Sequence, residues 1–164
     1  MSTVLDALIS RAPHSSFYRR CLSLALQQVV PFNSPHRLSL AEFSEGRAVV
    51  DIPFCWKNKN HLGTIHACVM AAAGEYAAGL AIISLVSPTK FRVIIRDLHV
   101  SYFLQGREPL TARCELRETT KLVQQFSVEL AAESLEVNTL SEILDGSGQL
   151  CATVSVIWQL KVRA

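Results

Sequence analysis

The sequence predicts an α+β protein in which a curved antiparallel sheet wraps around one long apolar helix. Residues 65–85 are almost all small or apolar, so this predicted helix must be covered by protein on most of its sides. Stretches in which apolar and polar residues alternate lie before and after the helix, and this period is typical of strands. Short turns join consecutive strands, which favours antiparallel pairing.

The first 31 residues predict a helical extension ahead of the sheet. A short helix is predicted near residues 4–9. A second helix is expected to begin at Ser15 or Ser16, whose side chains suit an N-cap, and to stop before Pro31, which cannot continue a helix. We predict a single domain over residues 1–164, with this extension at about 1–31.

A hairpin of two strands is predicted next. Residues 37–43 alternate loosely, and residues 48–54 alternate clearly. The Glu45-Gly46 step between them is typical of a turn. A polar loop, residues 57–63, then leads into the long helix.

The pattern after the helix has a period of two and changes phase once. The apolar positions in residues 91–95 and 98–104 have opposite parity, and the change occurs at Arg96-Asp97. One extra residue inverts the inward-facing set of a strand, so we predict a β-bulge there. Further strands are predicted at residues 110–116, 126–130 and 150–160, the last after a turn at Asp145-Gly146, whereas residues 132–144 fit either an inserted loop or a short helix.

Composition and charge argue against several classes of partner. The formal charge is +2 and no run of Lys and Arg exceeds a pair, so we expect no nucleic-acid partner. Residues 67–86 have nearly the length of a membrane span, but Glu75 at the centre favours a helix buried in protein, and no membrane partner is expected. The N-terminus lacks the pattern of a signal peptide. The five cysteines have no metal-binding spacing and indicate free thiols in a reducing, cytoplasmic setting.

Residues 60–79, NHLGTIHACVMAAAGEYAAG, form the most informative segment. Asn60 and His66 come just before the apolar run of the long helix, and Glu75 is the one charged side chain inside that run. A buried carboxylate is costly unless it is paired or used, because burial disfavours its ionised form. The segment therefore predicts a functional site built around the helix.

The motif N-x-x-G-x-x-H-A, from Asn60 to Ala67, followed by an acid along an apolar helix, resembles the hotdog-fold thioesterases. More narrowly, residues 32–158 are similar to thioesterases of the phenylacetic-acid-degradation type and to related uncharacterised thioesterase-like proteins. The resemblance implies that Asn60, His66 and Glu75 belong to an active site. The family often has Gly directly after the His, where this chain has Ala67, and a Leu-Arg-Pro-Ala-like turn where residues 104–107 read Leu-Gln-Gly-Arg.

The spacing of His66 and Glu75 predicts more than one subunit. Nine helical residues place the two positions roughly 13 Å apart along the axis and on nearly opposite sides. They cannot act on one bond within a single chain. We therefore predict an obligate homodimer, alone or as a dimer of dimers, in which the helix start of one subunit meets Glu75 of the other, and the resemblance implies the same arrangement.

The expected roles follow from where charge develops in thioester hydrolysis. The backbone N–H groups of residues 65–67 are expected to be free to stabilise an oxyanion. Asn60, with His66, would orient the thioester carbonyl or the attacking water. Glu75 would act as the general base for that water, with a pKa raised towards neutrality, or as a nucleophile that forms an anhydride. The candidate catalytic residues are Glu75, Asn60, His66 and Ala67.

Substrate-binding candidates fall into two groups. Residues at the helix start are expected to contact the thioester, and aromatic residues are expected to line an acyl pocket between helix and sheet. No metal or redox cofactor is expected, and coenzyme A enters only as part of the substrate. The first group is Gly63, Thr64 and Ile65, and the second is Phe54, Trp56 and Tyr102.

Structural interpretations of the same residues stay open at this point. Glu75 could pair with Arg96, Arg113 or a backbone amide, and a paired acid also has a shifted pKa. His66 could hydrogen-bond the neighbouring loop, and Gly63-Thr64 could form a turn and N-cap. The favoured function is hydrolysis of an acyl-CoA thioester. The alternative is a hotdog module that binds acyl-CoA or a fatty acid without cleaving it.

Overall fold

A six-stranded antiparallel sheet and a long central helix dominate the computed structural model, which describes residues 2–117, 119–129 and 134–163. The helices are α1 (Ser2–Arg11), α2 (Ser16–Val29), α3 (Ala67–Ile83) and α4 (Thr119–Glu129). The strands are β1 (Ser39–Ser44), β2 (Arg47–Ile52), β3 (Phe91–Tyr102), β4 (Leu110–Glu115), β5 (Ser134–Leu144) and β6 (Leu150–Val162). This confirms the predicted α+β class.

The strand order is β1-β2-β4-β5-β6-β3, so β1 and β3 are the two edges of the sheet. The sheet is curved, and α3 packs against β2, β4, β5 and β6. Burial along β5 shows this clearly, because Val137, Thr139, Ser141 and Ile143 are buried while their neighbours face solvent. A pleated strand shows one face of alternate residues to the core, and here that face meets α3.

The helix and the sheet approach each other closely at Gly74. The buried hydroxyl of Ser141 donates a 2.7 Å hydrogen bond to the Gly74 carbonyl. A Cβ atom at residue 74 would lie 2.4 Å from Cγ2 of Val154, which is far inside van der Waals contact. Glycine is therefore required at this position by the packing of α3 on β6.

Several predicted features are confirmed. The hairpin turns at Gly46, whose φ of 66° favours glycine. The pairing of β3 with β6 shifts register between Ile95 and Asp97, which is the predicted bulge. Two helices occupy the N-terminal region, and α2 is attached to β1 by a hydrogen bond from the Leu40 N–H to Oγ of Ser23.

The segment after β4 was predicted wrongly. Residues 126–130 alternate in the sequence and were expected to form a strand, but residues 119–129 are helix α4, and residue 130 lies outside the described residues. Val123 and Phe126, which are three apart, are buried side chains of α4, and the Phe126 ring lies 5.7 Å from that of Phe91. Apolar residues two apart are typical of a strand, and apolar residues three apart are typical of a helix. This segment contains both spacings, and the packing of Phe126 on Phe91 favours the helix.

Residues 132–144 were expected to form a loop or short helix, and this too was wrong where the structure describes them. Residues 134–144 form β5, which lies between β4 and β6 in the sheet. Among the described residues, no helix is long and apolar enough to cross a membrane.

Candidate active site

The loop that leads into α3 is organised by Asn60. Its Oδ1 accepts hydrogen bonds from the backbone N–H groups of Leu62 at 2.9 Å and Thr64 at 3.2 Å. Its Nδ2 donates to Oγ1 of Thr64 at 2.9 Å, and Gly63 adopts φ 74° in the same turn. Both polar ends of the Asn60 side chain are thus used inside the loop. This geometry gives Asn60 a positioning role at the helix start.

Two residues that the sequence pattern does not single out hold this loop in place. Asn58 is fully buried, and its Nδ2 donates to the carbonyls of His36 and Pro53, both at 2.9 Å. The backbone carbonyl of Asn58 accepts a hydrogen bond from the His66 N–H at 2.8 Å. Gly106 accepts from the Ile65 N–H at 2.8 Å. Asn58 and Asn60 lie two positions apart in the same polar run of the sequence, and only their tertiary contacts show that they have different roles.

These contacts correct the expected set of oxyanion donors. The N–H groups of Ile65 and His66 were expected to be free, but Gly106 and Asn58 occupy them, and the Ile65 side chain is buried. In the part of the chain that the structure describes, the Ala67 N–H is without a hydrogen-bond partner. The Ala67 N–H is therefore the backbone donor that the helix start can direct at an oxyanion, and the positive end of the helix dipole lies at the same place.

His66, rather than Thr64, is the N-cap of α3. Its φ and ψ of −66° and 137° are extended, and its Nδ1 accepts a 3.1 Å hydrogen bond from the Cys68 N–H. Because Nδ1 accepts, a neutral imidazole carries its proton on Nε2. The His66 ring is exposed, so this Nε2–H is available to a ligand at the helix start.

Tyr102 connects the end of the edge strand β3 to the same helix start. Its hydroxyl donates a 3.0 Å hydrogen bond to the Ala67 carbonyl. Partial burial, and then the nearby Cys68 thiol, raise the pKa of the Tyr102 hydroxyl, so it stays a donor at neutral pH. The start of α3 therefore lies beside the end of β3, which is an edge strand of the sheet.

The two other aromatic candidates lie elsewhere. Phe54 is half-buried, and its ring lies 3.8 Å from Nζ of Lys59. Trp56 is 85% exposed on a short 3₁₀ turn, so its ring does not lie between helix and sheet in the single chain. A contact of Phe54 or Trp56 with substrate stays a prediction.

Glu75 lies on the one face of α3 that the rest of the chain leaves uncovered. Most of α3 is buried, and its partly exposed residues follow one another at spacings that define a single face: Ala67, Cys68, Ala71, Ala72, Glu75, Gly79 and Ile83. All of them except Glu75 are uncharged. We call this the uncovered face of α3.

Burial raises the pKa of Glu75 from its usual 4.5 to about 7. Its carboxylate has no hydrogen bond or ion pair with any residue that the structure describes, so the expected pairing with Arg96 or Arg113 is not found. A pKa near neutrality lets one carboxyl group take up and release a proton at physiological pH. Structural acids in protein interiors are normally paired, whereas Glu75 has no such partner among the described residues.

His66 and Glu75 do not meet within one chain. Nine residues of helical rise separate them, which is about 13 Å. His66 is the N-cap of α3, and the expectation that the two side chains point to nearly opposite sides stays a prediction. The distance alone prevents them from acting on one bond of one substrate.

A metal site or a cavity elsewhere in the described residues can also mark a functional site. Among the described residues, no group of three or more His, Cys, Asp or Glu side chains is placed to hold a metal ion. A cavity of about 750 Å³ lies between α1, the β1–β2 turn and the C-terminal end of α3. It is lined by none of the predicted site residues.

Comparisons with known proteins bear on the family and the fold of this chain. A family model described as a domain of unknown function (DUF4442) matches residues 18–160. No curated protein matches the chain.

Solved structures match over most of the chain. A Pseudomonas aeruginosa protein of unknown function, described as a probable thioesterase, has a TM-score of 0.77 at 16% identity and covers 92% of this chain and 98% of its own. A Haemophilus influenzae thioesterase has a TM-score of 0.66 at 16% identity, with coverages of 85% and 90%. A variant of the Thermus thermophilus phenylacetic acid degradation protein PaaI has a TM-score of 0.59 at 18% identity, with coverages of 79% and 97%. At such low identity these similarities establish the fold, which is the predicted hotdog fold.

Proposed function

The chain belongs to the family described as a domain of unknown function (DUF4442), and from its hotdog fold and its site we propose that it is a homodimeric hydrolase of acyl-coenzyme A thioesters. The observation that carries the proposal is Glu75, a carboxyl group with a pKa of about 7 and no partner among the described residues, on the uncovered face of α3. A general base is most effective when its pKa is near the working pH.

In the proposed reaction Glu75 takes a proton from a water molecule as the water oxygen attacks the thioester carbonyl carbon. The carbonyl oxygen becomes an oxyanion, which the Ala67 N–H and the N-terminal end of α3 stabilise. The intermediate then collapses, the carbon–sulfur bond breaks, and the proton held by Glu75 passes to the departing coenzyme A thiolate. His66, through Nε2–H, and the loop shaped by Asn60 orient the carbonyl.

The proposed dimer supplies the second half of each site. β3 is a twelve-residue edge strand, and Ile94, Ile95 and Leu98 on it are each about 40% exposed. An edge strand has unpaired backbone N–H and C=O groups that can pair with a strand of a second copy, and these three exposed apolar side chains favour such pairing. Pairing two copies along β3 covers these residues. It also brings a second α3 towards the helix start that Tyr102 attaches to β3.

Thiol release from a panel of short, long and aromatic acyl-CoA thioesters tests this function. We expect turnover of at least one member, with kcat/KM rising as the pH increases through about 7, because the ionised form of Glu75 is the base. The release can be followed with a thiol reagent between pH 5.5 and 8.5. A folded dimer that binds acyl-CoA but turns over no member of the panel would contradict hydrolysis and favour the binding module.

A further inference from the structure

Helix α3 has two glycines in its interior, and packing explains only one of them. Glycine destabilises a helix interior relative to alanine, because it loses more backbone freedom on folding. Gly74 is required, since a Cβ atom there would overlap Val154. A Cβ atom at Gly79 would lie 3.4 Å from Cη2 of Trp158 and 4.0 Å from Oε1 of Glu75, which are ordinary contact distances. Nothing in the packing or the backbone of α3 therefore demands glycine at residue 79.

The missing side chain leaves a notch beside the proposed base. Gly79 follows Glu75 by one helical turn on the uncovered face of α3. The notch has the Glu75 carboxylate on one side and the ring edge of the buried Trp158 on the other. The indole N–H of Trp158 is not available to a ligand there, because it donates to Oγ1 of Thr139 at 2.9 Å. We call this space the Gly79 notch.

We propose that the Gly79 notch receives the acyl carbons next to the thioester carbonyl, so that the side chain at residue 79 limits the bulk of the acyl group. This inference rests on the proposed thioester hydrolysis. The reacting carbonyl carbon must lie within reach of a water bound to Glu75, so its substituents must lie within a few ångströms of the carboxylate. An ordered water needs two to four polar partners, and the notch offers one carboxylate and an apolar ring edge, which suits carbon better than water.

The variant Gly79→Ala fills the notch without disturbing the fold. Alanine fits the space beside Trp158 and favours a helix, so we expect the melting temperature to rise by roughly 1–4 °C. We expect kcat/KM for isobutyryl-CoA and benzoyl-CoA to fall roughly tenfold or more relative to the wild type, since one methyl group in a closely fitting pocket discriminates on that scale. With acetyl-CoA, whose acyl group is smallest, kcat/KM should change by no more than about threefold.

Three results would overturn the inference. The first is an equal loss of kcat/KM for all three acyl-CoA esters, and the second is an unchanged kcat/KM for all three. The third is a Gly79→Ala variant that no longer forms the wild-type oligomer. Failure of the proposed hydrolysis can be distinguished from failure of this inference, because a wild-type protein that cleaves no thioester can still be tested for binding. In that case the affinities for non-hydrolysable thioether analogues of the same three acyl-CoA esters, measured by calorimetry on the wild type and Gly79→Ala, should show the same dependence on acyl size.

Discussion

Replacing Glu75 by glutamine is expected to lower kcat for acyl-CoA hydrolysis by roughly 10²-fold or more. Glutamine keeps the size of the side chain and its place on the uncovered face of α3, but it cannot accept a proton from water. The pH dependence that the wild type shows near pH 7 should disappear with the carboxyl group. Thiol release at saturating substrate measures the loss, and Glu136→Gln, which changes an exposed acid on β5, is the matched control.

The stability of Glu75→Gln separates lost chemistry from lost structure. Because burial raises the pKa of Glu75 in the folded protein, protonation of this group favours the folded state. That contribution is fully present below the unfolded-state pKa of about 4.5 and is lost as the pH rises through about 7. Glutamine carries no charge at any pH, so the variant should melt at or above the wild-type temperature at pH 8. A stable variant with wild-type turnover would show that the chemistry lies elsewhere.

Breaking the β3 edge is expected to abolish activity as completely as removing the base. Leu98→Lys replaces one of the exposed apolar side chains of β3 by a charge next to Arg96 and Asp97, and edge lysines oppose strand pairing. We expect this variant to be a folded monomer whose thioester turnover falls by roughly 10²-fold or more. In a monomer, Glu75 lacks the start of α3 from a second copy, which would complete the active site.

Light scattering during gel filtration gives the mass of the Leu98→Lys variant, and the thiol assay gives its turnover. Leu140→Lys is the matched control, because Leu140 is 56% exposed but lies on β5, inside the sheet order and not at an edge. It should stay dimeric and active. A monomeric Leu98→Lys protein with full activity would exclude a shared site.

The sequence predicted the parts of the fold where periodicity is strong and local. The apolar run of α3, the phase change at Arg96-Asp97 and the turn at Gly46 are strong local patterns, and the helix, the bulge and the turn that they predict are confirmed. The sequence pattern of the segment that contains α4 allows two interpretations. Phe126 fits an alternating strand and also a helix that buries both Val123 and Phe126, and the contact with Phe91 that favours the helix is not visible in the sequence.

The same limit applies to the candidate site. The position of Glu75 in an apolar run was enough to predict its burial and its raised pKa. The occupied N–H groups of Ile65 and His66 could not be predicted, because their partners, Gly106 and Asn58, are placed by the fold. The space at Gly79 also depends on Trp158, a residue 79 positions away in the chain. Local pattern thus predicts which residues can react, and tertiary contact determines which of them are free to do so.

Complementation between two inactive variants tests the shared site most directly. Glu75→Gln removes the base. His66→Asp keeps a good N-cap for α3 but places a negative charge where the oxyanion would form, so it too should be inactive. In a mixed dimer, one of the two shared sites carries both changes and the other carries neither. After the two proteins are unfolded and refolded together, half of the dimers are mixed, and the account predicts about a quarter of wild-type thioester turnover. A mixture that stays inactive, although mixed dimers have formed, would contradict a site shared between subunits.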